Sequence, residues 1–200
     1  ADGVHTIDDS IVEKAYTDEN ELICWHYDHA QERTVKGINF ITALYTVDEV
    51  SLPVAFRLVA KTEHYANKEG KAKRRSPVTK NDHYRAMLQQ CVHNQIPFEY
   101  VLNDLWFASA ENMRFVKLDL GKEFIMALKA NRKVARSVED KQNGRYQRLD
   151  QLNSPEDTLT TFYLEQVPFQ LHLLRQVFTN EDGSTGVRYL VTSDLTLTAD

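Results

Sequence analysis

Two short acidic segments are the part of this sequence whose residue types are best suited to chemistry. Asp8 and Asp9 interrupt an apolar run near the beginning of the chain, and Asp104 follows the apolar run over 98–102. Carboxylate oxygens are the ligands that magnesium prefers, and paired metal ions catalyse reactions at phosphodiesters. The alternative is that each acid only caps the backbone of a turn. The pattern makes Asp9 and Asp104 candidate metal ligands, with Asp8 as the competitor for the first position.

Three strands are expected before the first helix. Apolar and β-favouring residues dominate 4–12, 35–47 and 51–60, and short connections between them predict an antiparallel meander. The run over 35–47 has almost no polar interruption, which is typical of a strand buried on both faces. A polar, basic stretch over 62–80 is expected to form a surface loop.

A helix is predicted after that loop. Thr79 with Asp82 resembles a capping box, and Pro97 marks the end of the helix. Apolar residues recur at helical spacing and should form its buried face. These residues are Tyr84, Met87, Leu88, Cys91 and Val92.

The pattern then alternates between strand and helix. We expect a strand over 98–102, a helix over 109–120 capped by Gly121, and a strand over 124–128. The predicted order is therefore β-β-β-α-β-α-β. A right-handed crossover would place the fourth strand beside the first and parallel to it, which would make Asp9 and Asp104 neighbours. This is the order of a ribonuclease-H-like mixed α/β sheet.

The character of the sequence changes after Asn131. Residues 132–190 are rich in strand-like stretches, with a hairpin signal at 180–183, and predict a β-rich insertion. We expect residues 1–131 to form the first part of the core and residues 191–200 to begin the return to it.

Basic residues are strongly segregated in a chain whose net charge is −5 at pH 7. Residues 61–85 hold 8 Lys and Arg against 3 acids, and residues 114–148 hold 10 against 4. Such a distribution can create a phosphate-binding face on an acidic protein. Two solvated loops or helix faces would give the same pattern.

Other features of the sequence limit the class of protein to which the chain can belong. Cys24 and Cys91 cannot form a disulfide framework, and no apolar run approaches the ~20 residues that span a bilayer. No signal peptide opens the chain, so we expect a cytoplasmic protein without membrane contact. The chain begins at Ala1 and ends at Asp200 directly after a strand-like stretch, and we expect it to be part of a longer protein.

A zinc site in the segment over 24–29 is a weaker hypothesis. Its candidate ligands are Cys24, His26, Asp28 and His29, but their spacing fits no common structural zinc signature. A strand or turn is the simpler interpretation. Trp106 is expected to pack in the core beside Asp104, and stacking on a flipped base is the alternative.

Several segments, in chain order, resemble the catalytic domain of bacterial insertion-sequence transposases of the DDE class. The matching segments are residues 7–10, 25–29, 35–39, 101–109, 124–132 and 189–194. Each segment alone is weak evidence of the resemblance. Because the segments occur in the same order as in the family, together they make the resemblance specific. The resemblance implies a ribonuclease-H-like fold with a β-rich insertion between the second and third catalytic acids.

The resemblance also implies the roles of the acids. Asp9 matches the first catalytic acid because a hydroxyl residue, Ser10, follows it, and Asp104 matches the second. The family's third acid is a glutamate on a helix after the insertion, and we expect it beyond Asp200. Glu165 and Asp194 are poor substitutes, so the 200 residues alone should bind metal weakly and cut no DNA.

The resemblance implies Mg²⁺ or Mn²⁺ as the cofactor and double-stranded DNA, both transposon ends and target, as the partner, with a homodimer of the full-length protein on DNA. The expected reaction is cleavage at transposon ends followed by strand transfer. A nuclease that only hydrolyses and an inactive DNA-binding remnant are the alternatives. The expected DNA contacts are Lys73, Arg74, Arg75, Lys80, Lys129, Asn131, Arg132 and Lys133.

Overall fold

Strands dominate the secondary structure of the chain. The computed structural model describes residues 3–29 and 31–198. It has a mixed sheet with few helices, which agrees with the predicted α/β class and is compatible with a ribonuclease-H-like fold. The chain divides into two units, which we call the N-terminal unit (Ile7–Ile96) and the C-terminal unit (Ala1–Thr6 with Pro97–Asp200).

The N-terminal unit is built around one long strand. Its strands are β1 (Gly3–Glu13, from Ile7 onward in this unit), β2 (Ile23–Asp28), β3 (Arg33–Val47), β4 (Val50–Leu58), β5 (Glu63–Ala66) and β6 (Ala72–Arg75). β1 neighbours β3, β2 pairs antiparallel with the first half of β3, and β4 pairs antiparallel with its second half. The three predicted strands are confirmed as β1, β3 and β4.

The same unit contains strands that the sequence pattern did not indicate. β2 enters between the first two predicted strands, and β5 and β6 form a separate two-stranded hairpin. The expectation of a loop over 62–80 is therefore wrong for this hairpin. All four residues of β5 are exposed, so the hairpin has no alternation of apolar and polar residues to reveal it.

The predicted helix is confirmed as α1 (Lys80–His93). Thr79 caps it, its side chain accepts from the Asp82 amide, and Asp82 accepts from the Thr79 amide at 3.1 Å, which completes the capping box. The buried residues are Tyr84, Met87, Leu88 and Cys91. Val92 is 41% exposed, so its assignment to the buried face was wrong, because the apolar stripe does not extend that far around the helix.

The C-terminal unit contains a sheet of shorter strands. They are β7 (Phe98–Asn103), β8 (Glu123–Leu128), β9 (Lys133–Ala135), β10 (Gln147–Arg148), β11 (Thr160–Leu164), β12 (Leu171–Thr179) and β13 (Thr185–Thr192). Their order is β10-β9-β11-β12-β13-β8-β7, and the beginning of β1 neighbours β7. β7 and β8 are parallel, whereas the other described pairs of this unit are antiparallel.

The predicted strands and turn of this unit are confirmed. β7 and β8 lie where expected, and the hairpin between β12 and β13 turns at Gly183, whose φ is +82°. The predicted helix over 109–120 begins as α2 (Ala110–Arg114) and continues as a π-helical turn (Phe115–Asp119). A further short helix, α3 (Val138–Gln142), follows β9. The boundaries at 131 and 190 stay predictions.

The helices of the described residues are short. α1 has 14 residues, whereas α2 and α3 have five each. No helix in the described part of the chain is long and apolar enough to cross a membrane.

Gly37 in β3 provides a test of the close approach between β1 and β3. A Cβ atom at this position would lie 2.3 Å from the backbone oxygen of Val12. We expect Gly37→Ala to lower the free energy of unfolding by about 1–3 kcal/mol, because backbone has to move to relieve the overlap. Denaturant titration measures this change. Gly144→Asn is the control, because Gly144 has positive φ and open space around it. Equal stability of the Gly37→Ala protein and the parent would contradict this packing.

Candidate active site

Asp9 is a partly buried acid in β1. Residues of β1 alternate in burial, and Asp9 lies on the same side as the buried His5 and Ile7. Its side chain is 20% exposed. Its Oδ2 accepts a hydrogen bond from the Asn39 amide at 3.1 Å and forms an ion pair with the Lys80 ammonium. The carboxylate is thus held by two other elements of the N-terminal unit, β3 and α1.

Asp8 occupies the opposite, exposed side of β1. Its Oδ1 accepts a hydrogen bond from the backbone amide of Asp9 at 2.8 Å. The two neighbouring acids therefore differ in burial, since Asp8 is exposed whereas Asp9 is partly buried. This difference favours Asp9 over Asp8 for a role that needs a fixed carboxylate, and the assignment stays a prediction.

Asn39 and Lys80 are contacts of Asp9 that the sequence did not reveal. Asn39 is fully buried, and its amide nitrogen also donates to the backbone oxygen of Ser10 at 3.1 Å. A polar residue within the otherwise apolar run of β3 was the available signal, because buried amides need partners. Lys80 is the first residue of α1, so the capping box that fixes the beginning of the helix also positions its ammonium.

A histidine and a cysteine lie on the buried face of β2. His26 Nε2 lies 3.3 Å from the Cys24 sulfur, and the His26 ring forms a hydrogen bond with the Gly37 backbone. Burial, followed by the positive charges of Lys61 and Lys80, lowers the pKa of His26 to about 4. Burial also raises the pKa of the Cys24 thiol. At neutral pH the pair is an uncharged imidazole and a thiol, which is unsuited to nucleophilic attack.

Asp104 directly follows β7 in the C-terminal unit, as predicted. It is exposed, and its Oδ1 accepts a hydrogen bond from the backbone amide of Trp106 at 2.9 Å. Asn103, which is buried, donates from its side chain to the Asp104 backbone oxygen at 3.0 Å. Asp104 thus closes a local turn with one carboxylate oxygen, and Ser109 then caps α2.

The expectation that Trp106 packs in the core is wrong. The residue is 45% exposed, whereas the next residue, Phe107, is fully buried. The Trp106 amide is bound by Asp104 in the exposed turn, and Phe107 takes the core position that the prediction had given to Trp106.

The predicted basic turn after β8 lines a cleft of about 430 Å³ in the C-terminal unit. The predicted DNA contacts in this cleft are Lys129, Asn131, Arg132 and Lys133. Glu165 also lines it, and the Lys133 ammonium lies 3.5 Å from the Glu165 carboxylate in an exposed ion pair. Several basic groups around one concave surface can hold a phosphate. An exposed ion pair such as Lys133–Glu165 is weak, so a phosphate can replace the carboxylate at little cost.

Three of the other predicted DNA contacts, Lys73, Arg74 and Arg75, lie on β6 of the hairpin, and the fourth, Lys80, lies on α1. Arg75 contacts Glu63 across the hairpin at 2.8 Å, and Arg74 lies 3.7 Å from Glu19. Lys73 is exposed and has no ion pair among those that the described residues form. The fourth basic residue of this set, Lys80, is the one that contacts Asp9, so the four residues do not share one environment.

Magnesium and manganese fit the chemistry of the Asp9 surroundings. Hard cations bind carboxylate oxygens, and such an ion would have to displace the Lys80 ammonium from Oδ2 of Asp9. The amide oxygen of Asn39 is buried and has no hydrogen-bond partner among the described residues. The described residues contain no group of three or more His, Cys, Asp or Glu that could hold a metal ion, so water or further ligands would complete the shell.

The segment proposed as a weaker zinc candidate is the strand β2, which confirms the simpler interpretation of that segment. Asp9 belongs to the N-terminal unit and Asp104 to the C-terminal unit. That the two acids share one metal ion stays a prediction.

Comparison with known proteins gives one family match. A family model described as DDE superfamily endonuclease matches residues 1–173 of this chain. The match includes both candidate acids and the basic turn after β8. No curated protein matches the chain.

The low pKa of His26 predicts a pH-dependent stability. An unfolded chain protonates this residue near pH 6.5, whereas the folded protein does so only near pH 4. Stability should therefore be full above pH 6.5 and fall as the pH drops from 6.5 to 4, by up to about 3 kcal/mol. His26→Gln should flatten this part of the curve, as measured by denaturant titrations at pH 7, 5.5 and 4. His93→Gln, which changes an exposed histidine, is the matched control. If the stability of His26→Gln falls with pH as steeply as that of the parent, groups other than His26 cause the loss of stability.

Proposed function

The chain belongs to the DDE superfamily endonuclease family, and from this membership we propose that it is a transposase catalytic domain that cleaves DNA at transposon ends and joins these ends to target DNA. The observation that carries the proposal is the match over 1–173 together with the position of the two acids. Asp9 is held within β1, and Asp104 directly follows β7. Membership itself makes the protein a nuclease or transposase type of enzyme.

In this proposal Asp9 and Asp104 hold magnesium or manganese through their carboxylate oxygens. Bound divalent ions of this kind activate the attacking oxygen and offset charge on the leaving oxygen of a phosphodiester. Asn39 fixes the orientation of the Asp9 carboxylate through its amide hydrogen bond. Lys80 balances the charge of the same carboxylate. Water is the first nucleophile, and the 3′-hydroxyl that it releases is the second.

The cleft formed by Lys129, Asn131, Arg132 and Lys133 binds the DNA backbone in this proposal. Arginine can grip two phosphate oxygens at once, and the asparagine amide can donate to a third. These contacts orient the scissile strand without reading its sequence. The Asp9 region and this cleft belong to different units, so each is tested by its own variants.

The metal ligands are tested by removing one charge at a time. We expect Asp9→Asn and Asp104→Asn each to weaken Mn²⁺ binding at least about tenfold, which corresponds to ~1.4 kcal/mol, because a neutral amide is a poor ligand for a hard cation. The spin-resonance signal of free Mn²⁺ measures this affinity. Asp8→Asn is the matched control and should bind as the parent does. Loss of binding in Asp8→Asn with full binding in Asp9→Asn would reverse the assignment of the first acid.

The reaction is tested with the complete product of the gene and a plasmid that carries the DNA flanking the gene. Cleavage followed by covalent joining of the cut end to a second duplex is the expected result, and Asp104→Asn should abolish both steps. Cleavage without joining identifies a nuclease that only hydrolyses. DNA binding without either reaction identifies an inactive remnant.

The phosphate contacts are tested by the salt dependence of duplex binding. Affinity should fall with salt, with a log–log slope of about −0.9 for each phosphate contact. Arg132→Gln with Lys133→Gln should make this slope shallower, because these residues line the cleft after β8. Fluorescence anisotropy of a labelled duplex measures the slope. Arg145→Gln is the control, because Arg145 is held by Glu139 and Asp140. An unchanged slope in the double variant would show that Arg132 and Lys133 face solvent and do not contact phosphates.

A further inference from the structure

One cleft of the N-terminal unit is lined by neither Asn39 nor Lys80, the two contacts of Asp9. It has a volume of about 940 Å³ and is lined by β2 and by residues of the β5–β6 hairpin. Aromatic and basic side chains supply much of its lining. Neither the metal proposal nor the phosphate-binding cleft after β8 uses this surface.

Three aromatic residues of this cleft are exposed. Trp25 is 54% exposed, Tyr27 is 53% exposed and Tyr65 is 42% exposed. Trp25 and Tyr27 lie on the same face of β2 because residues two apart on a strand point the same way. Their Cα atoms are therefore about 7 Å apart. This interval between the Cα atoms is about twice the ~3.4 Å spacing of stacked bases.

The basic residues of the cleft have the charge that a nucleic-acid backbone requires. Lys61, Lys71, Lys73 and Arg74 line it, against one acid, Glu19. The Lys61 ammonium donates to the Trp25 backbone oxygen at 2.6 Å, so this residue of the cleft lining is bonded to β2. Burial lowers the pKa of Lys61. Lys73 is exposed on β6, where an incoming phosphate can reach it.

This combination is the one that proteins use for unpaired strands. Aromatic rings stack on bases of any sequence, and nearby cations follow the phosphates. A duplex hides its base faces within the stack, so exposed aromatic faces offer little to intact double-stranded DNA. An acidic peptide would use the cations but would leave the indole and phenol rings in water. The mixture of exposed rings and cations thus favours an unpaired strand over either alternative.

We propose that this cleft binds unpaired nucleotides of DNA, with a base stacked on Trp25 and Tyr27 and the adjoining phosphates on Lys73 and Arg74. The choice of DNA rests on the proposed function, in which DNA is the substrate. The ligand is a strand end or flap that duplex opening releases. The cleft does not include the metal-binding acids, so strand binding and cleavage can be measured independently.

The test compares binding of the protein to dT12, to a blunt duplex and to the same duplex with a single-stranded flap. We expect tighter binding to dT12 and to the flap than to the blunt duplex. Trp25→Ala and Tyr27→Ala should each weaken dT12 binding about tenfold, since stacking is worth about 1–3 kcal/mol per base. Trp25→Phe should retain most of the affinity because it keeps an aromatic face. Phe56→Ala is the matched control, because Phe56 is 65% exposed in the same unit but does not line the cleft.

A spectroscopic readout separates stacking from charge attraction. The chain has two tryptophans, so Trp106→Phe leaves Trp25 as the single indole reporter. Its fluorescence should be quenched by dT12 and should stay unchanged with inorganic polyphosphate. Unchanged dT12 affinity in both alanine variants together with unquenched Trp25 would overturn the proposal, as would tighter binding to U12 RNA than to dT12. Neither result would bear on the proposed function, which is tested separately by Mn²⁺ binding and DNA cleavage.

Discussion

Holding one acidic side chain in a fixed position within a sheet is the constraint on which the arrangement of the N-terminal unit depends. A buried carboxylate loses several kcal/mol of hydration unless hydrogen bonds and an opposite charge replace it. The Asp9 side chain receives both, an amide from Asn39 on β3 and an ammonium from Lys80 on α1. Three elements, β1, β3 and α1, therefore have to meet to hold this side chain in place. The same contacts fix the direction in which the Asp9 carboxylate points.

Local ion pairs decide how much of the segregated basic charge is available to a phosphate. Within the two basic segments, Arg75 is held by Glu63, Arg145 by Glu139 and Arg148 by Asp150. These cations are largely balanced before any ligand arrives. The basic groups at concave surfaces lie in two different clefts, one in each unit, and some of them, such as Arg74 and Lys133, also have an acidic partner. Local geometry, more than the excess of Lys and Arg, therefore decides which of these basic groups a phosphate could reach.

Elements with a strong apolar pattern were predicted correctly, and elements without one were missed. α1 buries most of its apolar residues and β3 buries every second residue over most of its length, and the apolar character of both was visible in the sequence. The β5–β6 hairpin is exposed throughout most of its length, and β2 carries its aromatic residues on an exposed face. Burial is what imposes periodicity on a sequence, so strands that bury little leave no such pattern.

The sequence by itself determined the chemistry that the protein carries: two acids in strand contexts, a basic turn after β8 and the family to which these segments belong. Only the tertiary structure decided which side chains surround those acids. Lys80 was assigned to DNA from its local charge, yet its ammonium contacts Asp9, 71 positions away in the chain. Trp106 was assigned to the core, yet Phe107 fills it. Composition and spacing report local preferences, whereas a contact between distant residues depends on how the strands and helices pack, which local preferences do not encode.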